Sequence, residues 1–460
     1  MSDTMRNEIK KELVRIVGPD RATDLPEHLV TYSYDAYTEE RRPDIVLFPL
    51  TTEEISAIMK IAHREAIPVT PRGAGTNLAG ESVPIQGGIV LCLTRMDKIL
   101  SIDVESLTAT VQPGVINLDL QRAVEKLGMM YPPDPASWAV ATMGGTVATN
   151  AGGPRTLKYG VTKDYLLGLS VVLANGDVLK TGGRTLKNVT GYNLTTLICG
   201  SEGTLGIISE IIVRLIPRPQ ASRTIRADFM KLENCSDAVS AIMAGGSVPA
   251  SLELMDQFVV KAVERSFNLG LPTDVEGILL IQLDGTDETL GREIDQIEKS
   301  LVANSARNII VAKDSAEAEK LWLARRAAGP AVMRMRPNII TEDVTVPVSN
   351  LTAMIRKVNE IGERHRIQVG ILAHAGDGNL HPLIVFDKMD ADEYKRVQSV
   401  CEDLIPEALA LGGTLSGEHG IGIAKAPFLK FEMDAVALGV MQGIKNYFDP
   451  KGILNPGKFV

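Results

Sequence analysis

PRGAGTNLAG, residues 71–80, follows the apolar run IPVT (67–70) and packs three glycines into ten positions. A strand that runs into such a turn is a candidate pyrophosphate site, because residues without side chains expose successive backbone N–H groups and form an anion-binding concavity. The Rossmann form of this turn needs G-x-G-x-x-G opening a helix, with an acidic residue about 20 positions on. Here Gly73-Ala74-Gly75 leads toward ESVPIQGG (81–88), whose Pro84 and turn residues are poor helix material. A P-loop is excluded as well, since no G-K-[ST] closes the turn.

Three further glycine-rich turns follow within about 140 residues: 132–153 (PPDPASWAVATMGGTVATNAGG), 158–165 (KYGVTKDY) and 199–208 (CGSEGTLGII). Any one alone reads as an ordinary connection. Four together point to one large cofactor, its pyrophosphate held between turns on a non-Rossmann frame.

A second constellation lies far downstream. HAGDGNLHP (374–382) sits between IQVGILA (367–373) and LIVFD (383–387), both rich in Val, Ile and Leu and read as strands. Asp377-Gly378 is a two-residue hairpin signal, and that turn would pair Gly376 with Asn379, Ala375 with Leu380 and His374 with His381. The imidazoles then share one face with Cβ atoms roughly 5 Å apart. SGEHGIG (416–422) adds Glu418 and His419 in another glycine-rich turn, so three of the six histidines fall within 46 residues. Two imidazoles and a carboxylate suit a catalytic Zn, Mn or Fe ion, whereas a structural zinc would want cysteines. Asp377 reads as a turn residue at the hairpin tip.

Length and composition narrow the class. At 460 residues the chain exceeds one core, and 45% hydrophobic content describes a soluble globular protein. A net charge of -9 argues against a nucleic-acid partner. The charged start MSDTMRNEIKKELVRIVG lacks the apolar centre of a signal peptide, and no run approaches the ~20 apolar residues of a transmembrane segment. A cytoplasmic protein is expected, compatible with peripheral attachment to the inner membrane. The four cysteines, Cys92, Cys199, Cys235 and Cys401, are scattered, which rules against an iron–sulfur cluster held by this chain alone.

The first half alternates short strands, glycine turns and helices; TEEISAIMKIAHREA (52–66) carries Ile55, Ile58, Met59 and Ala62 on one helical face. SVVLANGDVLKT (170–181) reads as a hairpin turning on Asn175-Gly176. The pattern changes at PRPQAS (217–222), the expected linker, after which longer helices alternate with apolar runs such as GILLIQL, as in an α+β domain with helices covering one sheet.

Six segments in order, PRGAGTNLAG, DPASWAVATMGGTVATNAGG, KNVTGYNLTTLICGSEGTLGIISE, HAGDGNLHP, SGEHGIGIAK and DPKGILNPGKF, resemble the FAD-dependent 2-hydroxy acid dehydrogenases of the vanillyl-alcohol-oxidase superfamily, in the glycolate oxidase and D-lactate dehydrogenase group. The resemblance covers about residues 20–460. It implies an α+β fold: a two-part FAD-binding domain of the vanillyl-alcohol-oxidase (PCMH) type, 1–220, an inserted α+β substrate or cap domain, 221–415, and a segment, 416–460, returning to the FAD domain. It further implies that Arg72, Gly73, Ala74, Gly75, Thr76 and Asn77 wrap the pyrophosphate. Pro133, Asp134, Pro135, Thr142, Gly145, Thr149, Asn150 and Gly152 would line the adenosine and flavin side, Glu202, Gly203 and Ile208 complete the site, and Asn455 approach the flavin ring. His374, His381 and Glu418 match the metal ligands and His419 the catalytic base.

Three departures from the family pattern carry expectations. Thr76 and Asn77 stand where covalently flavinylated relatives have a histidine, so the FAD is expected to be noncovalent. Asn193 replaces a common aspartate. Thr341 stands where 2-hydroxyglutarate-specific relatives have a lysine, which favours a monocarboxylate.

The implied chemistry is oxidation of a small D-2-hydroxy acid, D-lactate or glycolate, with D-2-hydroxyglutarate or a larger acid as the alternative. A divalent ion polarises the hydroxyl, His419 takes its proton, and Arg325 in KLWLARRAAG clamps the carboxylate, since guanidinium binds carboxylates bidentately. With no second redox centre in the chain, electrons would leave first to a partner protein, an electron-transfer flavoprotein or an iron–sulfur subunit, with a quinone or oxygen as the alternatives. A non-haem iron oxygenase or a flavin-free metallohydrolase would leave the four glycine turns without purpose. An inactive flavoprotein subunit should lack one of His374, His381, Glu418, His419 or Arg325, and all are present.

Overall fold

The computed structural model describes residues 6–459, so the first five residues of the expected FAD domain and the last residue of its returning segment lie outside the described residues. The chain divides into two compact units. One comprises the chain through Gly152, Val161–Arg218 and the stretch from Glu418 onward; the other comprises Gly153–Gly160 and Pro219–Gly417. Among the described residues no helix is long and apolar enough to cross a membrane.

In the first unit the strands Ile45–Leu47, Ile89–Cys92 and Val69–Arg72 pair in parallel in that order. Their residues are nearly all buried, as strands covered on both faces must be. The helix Thr52–Glu65 connects the outer two, its N-terminus capped by the Thr51 hydroxyl, which accepts from Glu54 N. It buries Ile55, Ile58, Met59 and Ala62, the stripe that the 3.6-residue period marks. A second, antiparallel sheet runs Ile99–Asp103, Thr108–Val111, Ile207–Arg214, Leu166–Val172, Val178–Gly182. Its last hairpin closes through residues 173–177, with Gly176 at φ +88°.

The second unit is built on one large antiparallel sheet ordered Asn308–Val311, Ala221–Phe229, Gly277–Gly285, Ser251–Asp256, Val369–His374, Asn379–Phe386, Asn338–Thr341. Alternation divides its side chains between two apolar layers. Leu252, Leu254, Ile371, Ala373, Leu380 and Ile384 pack with the helices Leu232–Ala244, Asp287–Ala303, Leu351–His365 and Ala391–Ala410. Met255, Leu280, Leu372, Leu383 and Val385 face the other way, under Gln257–Phe267, Ser315–Arg326 and Ala328–Met333. Helices thus cover both faces of the sheet. Each fully buried Leu, Ile, Val or Met here contributes about 1.5–3 kcal/mol.

The segment Gly153–Gly160, which carries no compositional break from its neighbours, belongs to the second unit. It is tied there by polar anchors: Lys158 Nζ donates to the Asp284 carbonyl at 2.7 Å, Tyr159 Oη to Asp284 Oδ2 at 2.7 Å, and Ser251 Oγ to the Pro154 carbonyl at 2.6 Å.

The histidine hairpin forms, with a register different from the one expected. His374 pairs with Asn379, Ala373 with Leu380 and Leu372 with His381. Residues Ala375–Asp377 make a 3₁₀ turn and only Gly378 takes positive φ, +78°, so the connection is a four-residue loop and not a type I′ turn. Packing decides this: a Cβ on Gly376 would lie 2.3 Å from Leu157 Cδ2, and one on Gly378 2.0 Å from the Val346 carbonyl oxygen. The change of register is two residues, so both imidazoles keep the same face.

Candidate functional site

The glycine-rich turns of the first unit meet around a cleft. One cavity of about 310 Å³ is lined by Gly73, Ala74, Gly75, Thr76, Asn77, Pro135, Thr142, Gly145, Thr149 and Gly152, together with Glu418 and His419. A second shares Gly73, Asn77, Thr142, Gly145 and Thr149 and adds Arg72, Glu81, Glu202, Gly203 and Ile208. The walls are close because side chains are missing. A Cβ on Gly73 would lie 2.3 Å from Thr142 Oγ1, one on Gly75 (φ +72°) 2.1 Å from Arg72 Nη2, and one on Gly203 2.4 Å from Pro71 Cγ. Thr142 Oγ1 accepts from Gly145 N at 3.2 Å, starting the helix Met143–Thr149 against the cleft.

Arg72 is buried and oriented by donation from Nη1 to the Tyr34 carbonyl at 2.7 Å, with its guanidinium 5.8 Å from the Tyr32 ring centroid. The remaining expected residues stand behind the wall. The Pro133 carbonyl accepts from the Asn117 and Gln121 side chains, and Asn150 (φ +51°) ends the helix Met143–Thr149. Asn455 Nδ2 donates to the carbonyls of Glu81 (2.8 Å) and Glu202 (2.7 Å). Pro133, Asp134, Asn150 and Asn455 do not line the two cavities.

Burial dominates the electrostatics beneath the cleft. Glu202 is pushed up to about 7 by burial, against donation from Ile421 N (2.6 Å) and Gly422 N (2.9 Å) and the pull of Lys458. Burial, then the charge of Glu202, lifts Glu81 well above the usual carboxylate range. Lys458 is pushed down to about 8, also by burial, against the attraction of Asp35, Glu202 and Glu81. Glu81 Oε1 lies in the cavity wall with no hydrogen-bond partner among the described residues. A glycine-walled cleft with a buried arginine and a buried carboxyl oxygen without a hydrogen-bond partner among the described residues fits an anionic cofactor that brings its own polar atoms.

The second unit carries a buried polar cluster. Glu253, in the centre of Ser251–Asp256, is the cross-strand partner of His374. His374 Nδ1 lies 2.8 and 2.9 Å from the two Glu253 oxygens, and Arg325 Nε donates to Glu253 Oε2 at 2.6 Å. The side chains of Arg325, Glu253 and His374 are 7%, 0% and 4% exposed. Burial alone would raise the Glu253 carboxyl, but His374 and Arg325 beside it more than reverse this and hold it below its ordinary value. The Arg325 terminal nitrogens, Nη1 and Nη2, make no hydrogen bond to the described residues. His381 stands with its ring centroid 5.0 Å from that of His374, at 88° between planes. Its Nδ1 is 4.0 Å from Asp343 Oδ1. Asp343, fully buried, accepts from Asn379 Nδ2 (2.5 Å) and Ser416 Oγ (2.7 Å). Paired imidazoles flanked by carboxylates are a donor set suited to a borderline divalent cation.

The sequence-predicted residues are therefore divided. His374, His381 and Arg325 belong to the second unit, while Glu418 and His419 belong to the first, His419 Nε2 lying 4.0 Å from Glu418 Oε1 at the cofactor cavity.

The chain matches two family descriptions: "FAD binding domain" over residues 43–182 and "FAD linked oxidases, C-terminal domain" over residues 218–459. It belongs to the FAD-linked oxidases. The glycolate oxidase subunit GlcD of Bacillus subtilis is 44% identical over 98% of this chain and 96% of its own length. The D-lactate dehydrogenase of Anaerostipes hadrus is 35% identical over 100% and 99%. The solved structure of p-cresol methylhydroxylase superposes with a TM-score of 0.82 at 19% identity, covering 98% of this chain and 96% of its own, which shows the shared vanillyl-alcohol-oxidase-type fold.

As an FAD-dependent oxidoreductase of this family, the protein holds FAD. Two acidic residues of this FAD-linked oxidase, Glu253 and Asp343, escaped the sequence reading. Glu253 sits in SLELMD, six consecutive buried residues. An acidic residue in the middle of a strand that is buried on both faces, with Asp256 at its end taken up as a helix cap, is the signal that could have found it. Asn193, where an aspartate is common, caps Leu194–Ile198 by accepting from Thr196 N at 3.0 Å, a task either residue performs.

Proposed function

We propose that this FAD-linked oxidase converts a small D-2-hydroxy acid, D-lactate or glycolate, to the 2-oxo acid in the cytoplasm, using noncovalent FAD and a divalent ion. The observation that carries the reading is Arg325. It is a buried guanidinium pinned through Nε to Glu253, with both terminal nitrogens left for a planar anion, in the same cluster as two imidazoles. That geometry matches a carboxylate bound bidentately beside a cation. The names of the relatives, glycolate oxidase subunit and D-lactate dehydrogenase, support the same substrate class.

In this reading Arg325 binds and orients the substrate carboxylate. His419 takes the hydroxyl proton as general base. His374, His381 and Glu418 hold a Zn, Mn or Fe ion, which when bound polarises the hydroxyl oxygen. FAD, when bound by the residues of the first unit's cleft, supplies the acceptor for the Cα hydride. Thr76 and Asn77 at the cavity offer no histidine for a covalent link to the flavin. Thr341, which ends the strand Asn338–Thr341, offers no positive charge for a second substrate carboxylate, which favours monocarboxylates. With no second redox group in the chain, electrons leave to a protein such as an electron-transfer flavoprotein or an iron–sulfur subunit, or to a quinone.

The test is anaerobic mixing of purified protein with D-lactate, glycolate and D-2-hydroxyglutarate in turn, following flavin absorbance before and after EDTA. Rapid bleaching by one monocarboxylate, lost on chelation and restored by Zn²⁺ or Mn²⁺, is the expected result. Bleaching by none of them overturns the assignment.

A further inference from the structure

We infer that Glu253 is a positioning residue that fixes the tautomer of His374, with the hydrogen on Nδ1 and the ring lone pair on Nε2. The inference rests on the metal-assisted reading above and adds a residue to it.

The cross-strand register sets Glu253 opposite His374, so the contact follows from backbone pairing and does not depend on a flexible side chain finding its partner. Both carboxylate oxygens lie within hydrogen-bond distance of Nδ1, at 2.8 and 2.9 Å. An acceptor-only carboxylate facing Nδ1 demands that Nδ1 carry the hydrogen. A neutral imidazole with Nδ1–H has its lone pair on Nε2, the form a metal ligand needs, and the carboxylate makes that lone pair more basic. Arg325 completes the device by donating from Nε to Glu253 Oε2, which holds the carboxylate in place and balances its charge in a site where water cannot. One buried carboxylate thus serves the carboxylate-binding arginine and the metal-binding histidine together.

A merely structural ion pair would be indifferent to the His374 tautomer. Two measurements separate the cases. In metal-free wild-type protein labelled with ¹⁵N-histidine, taken to a pH at which the His374 signals show a neutral ring, His374 should carry its hydrogen on Nδ1 and none on Nε2. The Nε2–H tautomer overturns the inference. The Glu253→Gln variant offers one acceptor oxygen and an NH₂ that favours the wrong tautomer. Its Zn²⁺ affinity, titrated against a competing chelator, should fall by about 10–100-fold, while Glu253→Asp, which keeps the carboxylate, stays closer to wild type. Retained FAD and a cooperative melt show that a variant is folded. A folded Glu253→Gln protein with wild-type Zn²⁺ affinity overturns the inference. If the variant does not fold, the wild-type tautomer decides. If wild-type protein binds no divalent ion, the metal in the proposed function falls, and the tautomer still reports on Glu253 by itself.

Discussion

Arg325→Lys separates carboxylate recognition from charge balance. Arg325 reaches Glu253 with Nε and leaves two nitrogens for substrate, whereas a lysine has one ammonium for both tasks. Glu253 is fully buried and ionised, and removing its partner would cost about 3–5 kcal/mol. A charge-assisted hydrogen bond to substrate contributes only about 1.5–3 kcal/mol. The ammonium therefore stays with Glu253, and the substrate loses two such bonds. The sum, about 3–6 kcal/mol, corresponds to a fall in kcat/KM of about 10²–10⁴. Dye-coupled oxidation of D-lactate and glycolate measures this, with FAD content, Zn²⁺ affinity and melting temperature recorded on the same preparation. The last three should stay near wild type because the Glu253 pair survives. A folded, FAD-loaded Arg325→Lys protein with kcat/KM within about threefold of wild type would show that Arg325 does not hold the substrate.

Gly75→Ala places a side chain at φ +72°, 2.1 Å from Arg72 Nη2, and should lower the FAD-to-protein ratio measured by flavin absorbance while the second unit melts as before. Gly378→Ala meets both a left-handed backbone, worth about 1–2 kcal/mol, and the Val346 carbonyl at 2.0 Å, and should lower the melting temperature and Zn²⁺ affinity together. Asp256 caps Gln257–Phe267, accepts from Ile371 N at 2.8 Å, and is pushed by burial from 3.8 to about 7. The native state then holds a proton that the unfolded state has lost between those values. Stability falls as pH rises from the lower to the higher value and is flat above, by up to about 4 kcal/mol; urea unfolding across this range should lose that slope in Asp256→Asn, and an unchanged slope would refute it. Replacing Glu253 and Arg325 together by Leu should disturb stability less than either single change, since a lone buried charge is costlier than a pair removed. Additive losses in the melting temperature would contradict that.

What could be read from the sequence was what local physics determines. The helix Thr52–Glu65 announced itself by its apolar stripe and its threonine cap, and the glycine turns by composition. The hairpin register could not be read from Asp377-Gly378, because Leu157 and Val346, distant in sequence, determine how its loop packs. The attachment of Gly153–Gly160 to the second unit was illegible for the same reason, since Asp284 and Ser251 hold it.

The site itself survived the error in register through parity. A slip of one residue would have sent one imidazole to the opposite face of the sheet, whereas the actual change of two preserves which face each side chain occupies. On that face Met255, Leu372 and Leu383 belong to one apolar layer, and two residues along the same strands stand Glu253, His374 and His381. Glu253 and His374 stand opposite each other, His381 lies one pair further along beside Leu372, and Arg325 enters there from a helix whose Leu321 and Ala324 pack in the same layer. The hairpin signal sets the two imidazoles on one face from sequence alone, but nothing local in the sequence links Glu253 or Arg325 to them. Only the pairing of the strands shows that they share one buried end of the layer, where charge is tolerated because each group there supplies what its neighbour lacks.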